Sequence, residues 1–143
     1  MSPRRIIALV ASISLLQAVP AHAQRLGDII DIVTFAWSHG DTRALAAMAA
    51  RDGISIETKR GHMGPLGARQ ANAVLRRLLE ERETVSIRQG VTQEVGGNPR
   101  RAFSEIRWVV RTPDTNQPER LTIFIELVHE GERWRITQIR MLP

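Results

Sequence analysis

The chain has 143 residues, no cysteine, no tyrosine and a formal net charge of +5. Without thiols it has no disulfides and no cysteine-based metal site or nucleophile, so its stability must come from buried apolar surface. The charge overstates the case for an anionic partner, because Arg4 and Arg5 belong to a leader whose removal leaves +3.

That leader is the first element. Arg4-Arg5 precede an apolar run from Ile6 to Leu16, broken only by Ser12 and Ser14, and Ala21-His22-Ala23 puts small residues at a cleavage position. This is the pattern of a secretory signal peptide over residues 1–23, and the run falls short of the ~20 apolar residues of a spanning helix. Pro3 and Ala8 depart from the twin-arginine pattern, which favours the general secretory route, and the lack of cysteine excludes a lipid anchor. The expected product is exported, periplasmic or extracellular, without a membrane anchor. Residues 24–143 fit a single domain in size.

Leu26, Ile29, Ile30, Val33 and Trp37 recur at helical spacing and predict a first helix, stopped by Gly40. Asp41 is positioned to cap a second, whose apolar stripe is Leu45, Met48 and Ala49 and which Gly53 ends. Ile54 and Ile56 alternate with Ser55 and Glu57 as a short strand, followed by a glycine-rich segment, Arg60 to Gly67, expected to be a mobile loop. Gly67 and Gln70 then open a third helix with Ala71, Val74, Leu75, Leu78 and Leu79 on one face.

From Thr84 the period changes to two. Val85, Ile87 and Val91, then Ala102, Ile106, Trp108 and Val110, then Leu121, Ile123, Ile125 and Leu127 each alternate with polar residues, which predicts strands with one apolar face. Turns fit at Gly96 to Pro99, at Pro113 to Pro118 and in a tight hairpin at Glu130-Gly131-Glu132 before Trp134 and Ile136. The apolar phase slips after Ile136 to Ile139 and Met141, which predicts a bulge. The expected core unites Trp37, Ile56, Leu75, Leu79, Ile106, Trp108, Ile123, Ile125, Trp134 and Ile136.

Several chemistries find no support in these residues. The remaining histidines, His39, His62 and His129, are too far apart for metal-ligand spacing, and the sequence has no nucleophile elbow and no phosphate loop with its lysine. No cofactor or metal is expected. The pairs Arg76-Arg77 and Arg100-Arg101 read as solvated surface rather than as a nucleic-acid site: Arg76 and Arg77 stand four before Glu80 and Glu81, and the outward Arg107 has Glu105 and Glu126 as sheet neighbours.

The whole plan is α+β: three N-terminal helices packed on a strongly curved, mainly antiparallel sheet, a cone-shaped, cystatin-like architecture. In the order of these elements, with Gly40-Asp41 before Leu45, Asp52 to Ile56, Gly67 to Ala71 and the terminal Trp134 to Ile139, the chain resembles a cone-shaped superfamily. That superfamily includes nuclear transport factor two, ketosteroid isomerase, scytalone dehydratase and the SnoaL-like cyclases, and the pattern is closest to small secreted members of unassigned function. The resemblance implies a pocket inside the cone, with Trp37, Thr58, Met63 and Trp108 as its candidate ligand-binding lining. It also implies where an isomerase would carry its aspartate base, and there this chain has Thr58; the oxyanion-holding tyrosine has no counterpart. Glu57 is expected to point to solvent, and the polar groups facing the pocket are expected to be Thr58, Gln89, Ser104 and Gln138. No catalytic residue emerges. The expectation is an exported, non-enzymatic domain that binds a small apolar ligand or a protein partner, with a homodimer through the sheet as one such partnership. An isomerase or dehydratase acting in the same pocket is the alternative.

Overall fold

The computed structural model describes residues 24–143, so the leader read at 1–23 lies outside the described residues. The order is α1 (Leu26–Ser38), α2 (Thr42–Ala47), β1 (Ile54–Thr58), β2 (Gly61–Leu66), α3 (Ala68–Glu80), β3 (Glu83–Gly96), β4 (Arg101–Arg111), β5 (Glu119–Glu130) and β6 (Arg133–Leu142). A strand pair therefore separates α3 from the first two helices. The six strands form one open sheet in the order β2-β1-β6-β5-β4-β3. Every neighbouring pair is antiparallel except β1 with β6.

Helix α1 buries Ile29, Ile30, Val33, Ala36 and Trp37, one stripe of a 3.6-residue period. Gly40 turns the chain at a φ of 65°, and the Asp41 carboxylate then accepts the Ala44 N–H at 3.1 Å, capping α2. No side chain caps α3, so the expected return of Gln70 to the cap amide is not made.

Strict alternation along β4 and β5 sends Ala102, Ser104, Ile106, Trp108 and Val110, with Leu121, Ile123, Ile125 and Leu127, to one face. These residues join Trp37, Leu45, Ile56 and Leu75 in a single hydrophobic cluster. Arg101, Phe103, Arg107 and Phe124 stand on the other face, exposed. Of the ten residues expected to form the core, nine are buried, while Leu79 is half-buried against the cluster's edge.

Trp37 and Trp108 meet edge to face, 5.4 Å between ring centroids. The Trp108 indole N–H donates to Thr84 Oγ1 at 2.9 Å, whereas the buried Trp37 N–H has no acceptor among the described residues. An unmet buried donor costs about 1–3 kcal/mol, which offsets part of what the larger ring contributes by burial. Trp37→Phe is accordingly expected to change the unfolding free energy by less than about 1 kcal/mol in urea titrations. Trp108→Phe, which strands Thr84, should cost more. Equal costs for the two variants would contradict the assignment.

The structure corrects further expectations. The glycine-rich segment is strand β2, its Met63 opposite Ile56 and its His62 opposite Glu57. It reads as a loop because half of its residues, Gly61, Gly64 and Pro65, disfavour strands, yet close pairing requires one of them: a Cβ on Gly64 would lie 2.8 Å from the Ile54 carbonyl oxygen. In β3, Val85 and Val91 are exposed rather than buried, because register shifts at three places break the alternation. Gln138 does not face the core. The predicted bulge falls where Leu127 pairs with Ile136 but Glu126 with Gln138, and the extra residue, Thr137, turns Gln138 to the outer side, where it meets Glu57.

Candidate functional site

The four candidate lining residues separate into two pairs. Trp37 and Trp108 are sealed in the core, 0% and 1% exposed, and fill the space between α1 and the sheet. Thr58 and Met63 instead line a recess between the β1–β2 hairpin and α3, about 220 Å³ in volume, with Val74 and Leu78 from α3 as its apolar wall. Arg60, His62 and Arg77 stand around it, with Glu81 as the single acidic group.

Each wall follows from local sequence. Thr58 shares the face of Ile54 and Ile56 by strand alternation, and its hydroxyl accepts the Arg60 N–H at 3.2 Å, which closes the turn into β2. Val74 and Leu78 are four apart on α3 and so stack along one face, with Arg77 beside them. A second recess of about 220 Å³ adjoins the first through Thr58, Arg60 and Leu78 and brings in Lys59, Arg82, Glu119, Leu121 and Met141. Basic side chains thus outnumber acidic ones around both openings. Arg60 and Arg82 each lie 3.8 Å from a Glu81 oxygen; the Arg60 pair is loose and exposed, whereas Arg82 is half-buried and donates to the Leu78 carbonyl at 2.9 Å.

Acid–base machinery is sparse. Among the described residues the buried polar side chains are Thr42 and Ser104, and neither exchanges a proton near neutral pH. Ser104 shares a 2.8 Å hydrogen bond with Thr92, and Gln89 is exposed on an Asp31 carboxylate oxygen at 2.7 Å. Glu57 lies on the outer face, held by the Arg140 guanidinium at 3.1 Å. His39 stacks on Phe35 at the end of α1. His129 packs against Trp134, ring centroids 5.0 Å apart. At the β3–β4 turn the Glu94 carboxyl is held below its ordinary range by its hydrogen bond to Arg100, and Arg100 is raised in turn. Neither of them lines a recess.

The recess depends on β2 lying close to β1. Gly64→Ala would place a methyl group against the Ile54 carbonyl and the Ser55 Cα, at a φ of 119° that side chains disfavour. Such strain costs about 1–3 kcal/mol, and the expected result in hydrogen exchange is loss of protection in Gly61–Leu66 with β4 and β5 unchanged. Unaltered protection of β2 would contradict it.

The outer face of the sheet carries the largest exposed apolar side chains outside the helices. Phe103 is 46% and Phe124 38% exposed, beside a shallow cleft bounded by Glu126, Gln138 and Arg140. Around them run the ion pairs Arg101–Glu126, Arg107–Glu105 and Arg140–Glu57.

No family model and no curated relative matches the sequence. Solved structures do match in shape. A DUF4783 family protein from Bacteroides ovatus superposes with a TM-score of 0.62 at 12% identity, over 84% of this chain and 94% of its own. A domain of unknown function with a cystatin-like fold from Nostoc punctiforme gives 0.61 at 15% identity, over 80% of this chain and 72% of its own. A hypothetical protein with a ketosteroid isomerase-like fold from Catenulispora acidiphila, solved with trimethylamine, gives 0.60 at 19% identity, over 81% and 85%. At such identities the likeness is one of fold. The class is α+β, three helices with an open, mostly antiparallel six-stranded sheet. The chain has the nuclear transport factor two-like, ketosteroid isomerase-like fold.

Proposed function

We propose that this is an exported, non-enzymatic, cone-shaped domain that binds a small ligand with an apolar body and an anionic head. The observation that carries the reading is the recess itself: Met63, Val74 and Leu78 offer apolar area while Arg60, His62 and Arg77 ring the opening. Two adjoining recesses suit an elongated molecule better than either alone, since each is smaller than the ~300 Å³ at which ligand pockets usually begin. Tryptophan packing in the interior favours this site over one deep in the cone. The isomerase or dehydratase alternative is disfavoured because no ionisable residue among the described ones is buried as a whole and because Thr58 stands in place of a base.

The test is thermal stability with decanoate and, separately, decanol. At a hundred times its dissociation constant decanoate should stabilise the domain by about 2.7 kcal/mol, decanol less, and Arg77→Glu should remove most of the difference. A melting temperature that neither compound moves would overturn the reading.

A second reading has its own support. The outer face combines the exposed Phe103 and Phe124 with charges of both signs, which supports a two-fold homodimer through the sheet. Sedimentation of the native chain beside Phe124→Glu tests it, and a native monomer at high concentration would dismiss it.

A further inference from the structure

Gln24, the residue that follows Ala21-His22-Ala23, is held by two atoms. Its backbone N–H donates to the Glu132 carbonyl at 3.0 Å, and its side-chain Oε1 accepts the Trp134 N–H at 3.0 Å. The carbonyl of one residue and the N–H of the second residue after it point to the same side of a strand. A parallel neighbour normally meets them with the N–H and C=O of a single residue. Gln24 supplies its own N–H but offers the side-chain amide oxygen in place of its main-chain carbonyl. The residue is half-buried there, beside Trp134, which is 2% exposed beneath the Arg100 guanidinium.

We propose that the exported protein begins with pyroglutamate at position 24 and that the turn between β5 and β6 grips the lactam. Once residues 1–23 are removed, the free α-amine of Gln24 can attack its own Cδ. The N–Cδ bond forms, the Cδ–Nε2 bond breaks, and ammonia leaves with the displaced nitrogen, so no oxidant or co-reactant is needed. The atoms that survive are the two that the turn already holds: the nitrogen keeps one hydrogen for Glu132, and Oε1 becomes the lactam oxygen facing the Trp134 N–H. The atom that departs, Nε2, makes no hydrogen bond to another described residue. Cyclisation therefore discards nothing that the turn uses. It also removes the terminal positive charge and closes the end to aminopeptidases.

The inference rests on the export reading, and intact mass separates the two. Protein exported by its host should have the mass of residues 24–143 less one ammonia and should be blocked to stepwise N-terminal sequencing. Pyroglutamyl aminopeptidase should unblock it readily after denaturation and many-fold more slowly while folded. A mature chain starting at an open Gln24 after prolonged incubation would overturn the proposal and leave export standing. A chain that retains residues 1–23, or begins elsewhere, would overturn both the modification and the cleavage it needs. Equal rates of unblocking in the folded and denatured states would overturn the grip of the turn.

Discussion

Trp108→Ala is expected to lower the unfolding free energy by about 3–5 kcal/mol, enough to depress Tm by at least about 10 °C. The side chain is 1% exposed, stands opposite Ile87 on one side and Leu121 on the other, and meets Trp37 edge to face. Its removal leaves an indole-sized hole walled by two strands and α1, which cannot collapse onto it without breaking register. It also strands the Thr84 hydroxyl. Calorimetry of the variant checks the magnitude. A loss under about 1 kcal/mol would mean that the ring is not packed as described.

Ile125→Ala should cost about 2–5 kcal/mol. Ile125 lies midway along β5, fully buried, between Ser104 of β4 and Ile139 of β6. Both neighbouring strands fix its position, so relaxation is small and the cost should fall in the upper part of that range. Arg101→Ala is the matched control, because its ion pair with Glu126 is half-exposed and such pairs contribute less than about 1 kcal/mol. Guanidinium titrations of the two variants should differ in midpoint and not in slope.

The strands that sit between two neighbours are those that the sequence reveals. β4, β5 and β6 each have a partner on both sides, so alternation is enforced along their length, and even the bulge at Thr137 is legible as a slip of phase. Edge strands obey weaker rules. In β3 the bulges carry Val85 and Val91 out of the face they would share in a regular strand. In β2 the residue that permits close pairing, Gly64, is of a type that ordinarily marks a loop, and only the partner strand makes sense of it. The recess was half legible. Thr58 and Met63 follow from strand phase and the hairpin, but Val74, Leu78 and Arg77 read as part of a helix with one core face. The signal available was that this apolar stripe extends beyond what a single face of the sheet can cover. Trp37 and Trp108 point inward as expected; what sequence does not encode is whether two large rings leave room between α1 and the sheet or occupy it.

The parallel pairing of β1 with β6 carries a consequence for the time course of folding. Glu57 and Arg140 lie 83 positions apart, yet they meet across that pair. Contacts between such distant segments form late, since the chain between them loses its freedom before the contact rewards it. Until β6 is in place the β1–β2 hairpin has no third strand, and a lone two-stranded ribbon is marginal in water. Helices α1 and α2 and the β3–β4–β5 meander can assemble from nearer neighbours, but the hairpin that carries Thr58 and Met63 must wait for β6. Removing Gln138 and the residues after it would therefore leave β1 without its parallel neighbour, take Ile139 and Met141 out of the core, and leave the wall formed by Thr58 and Met63 unsupported.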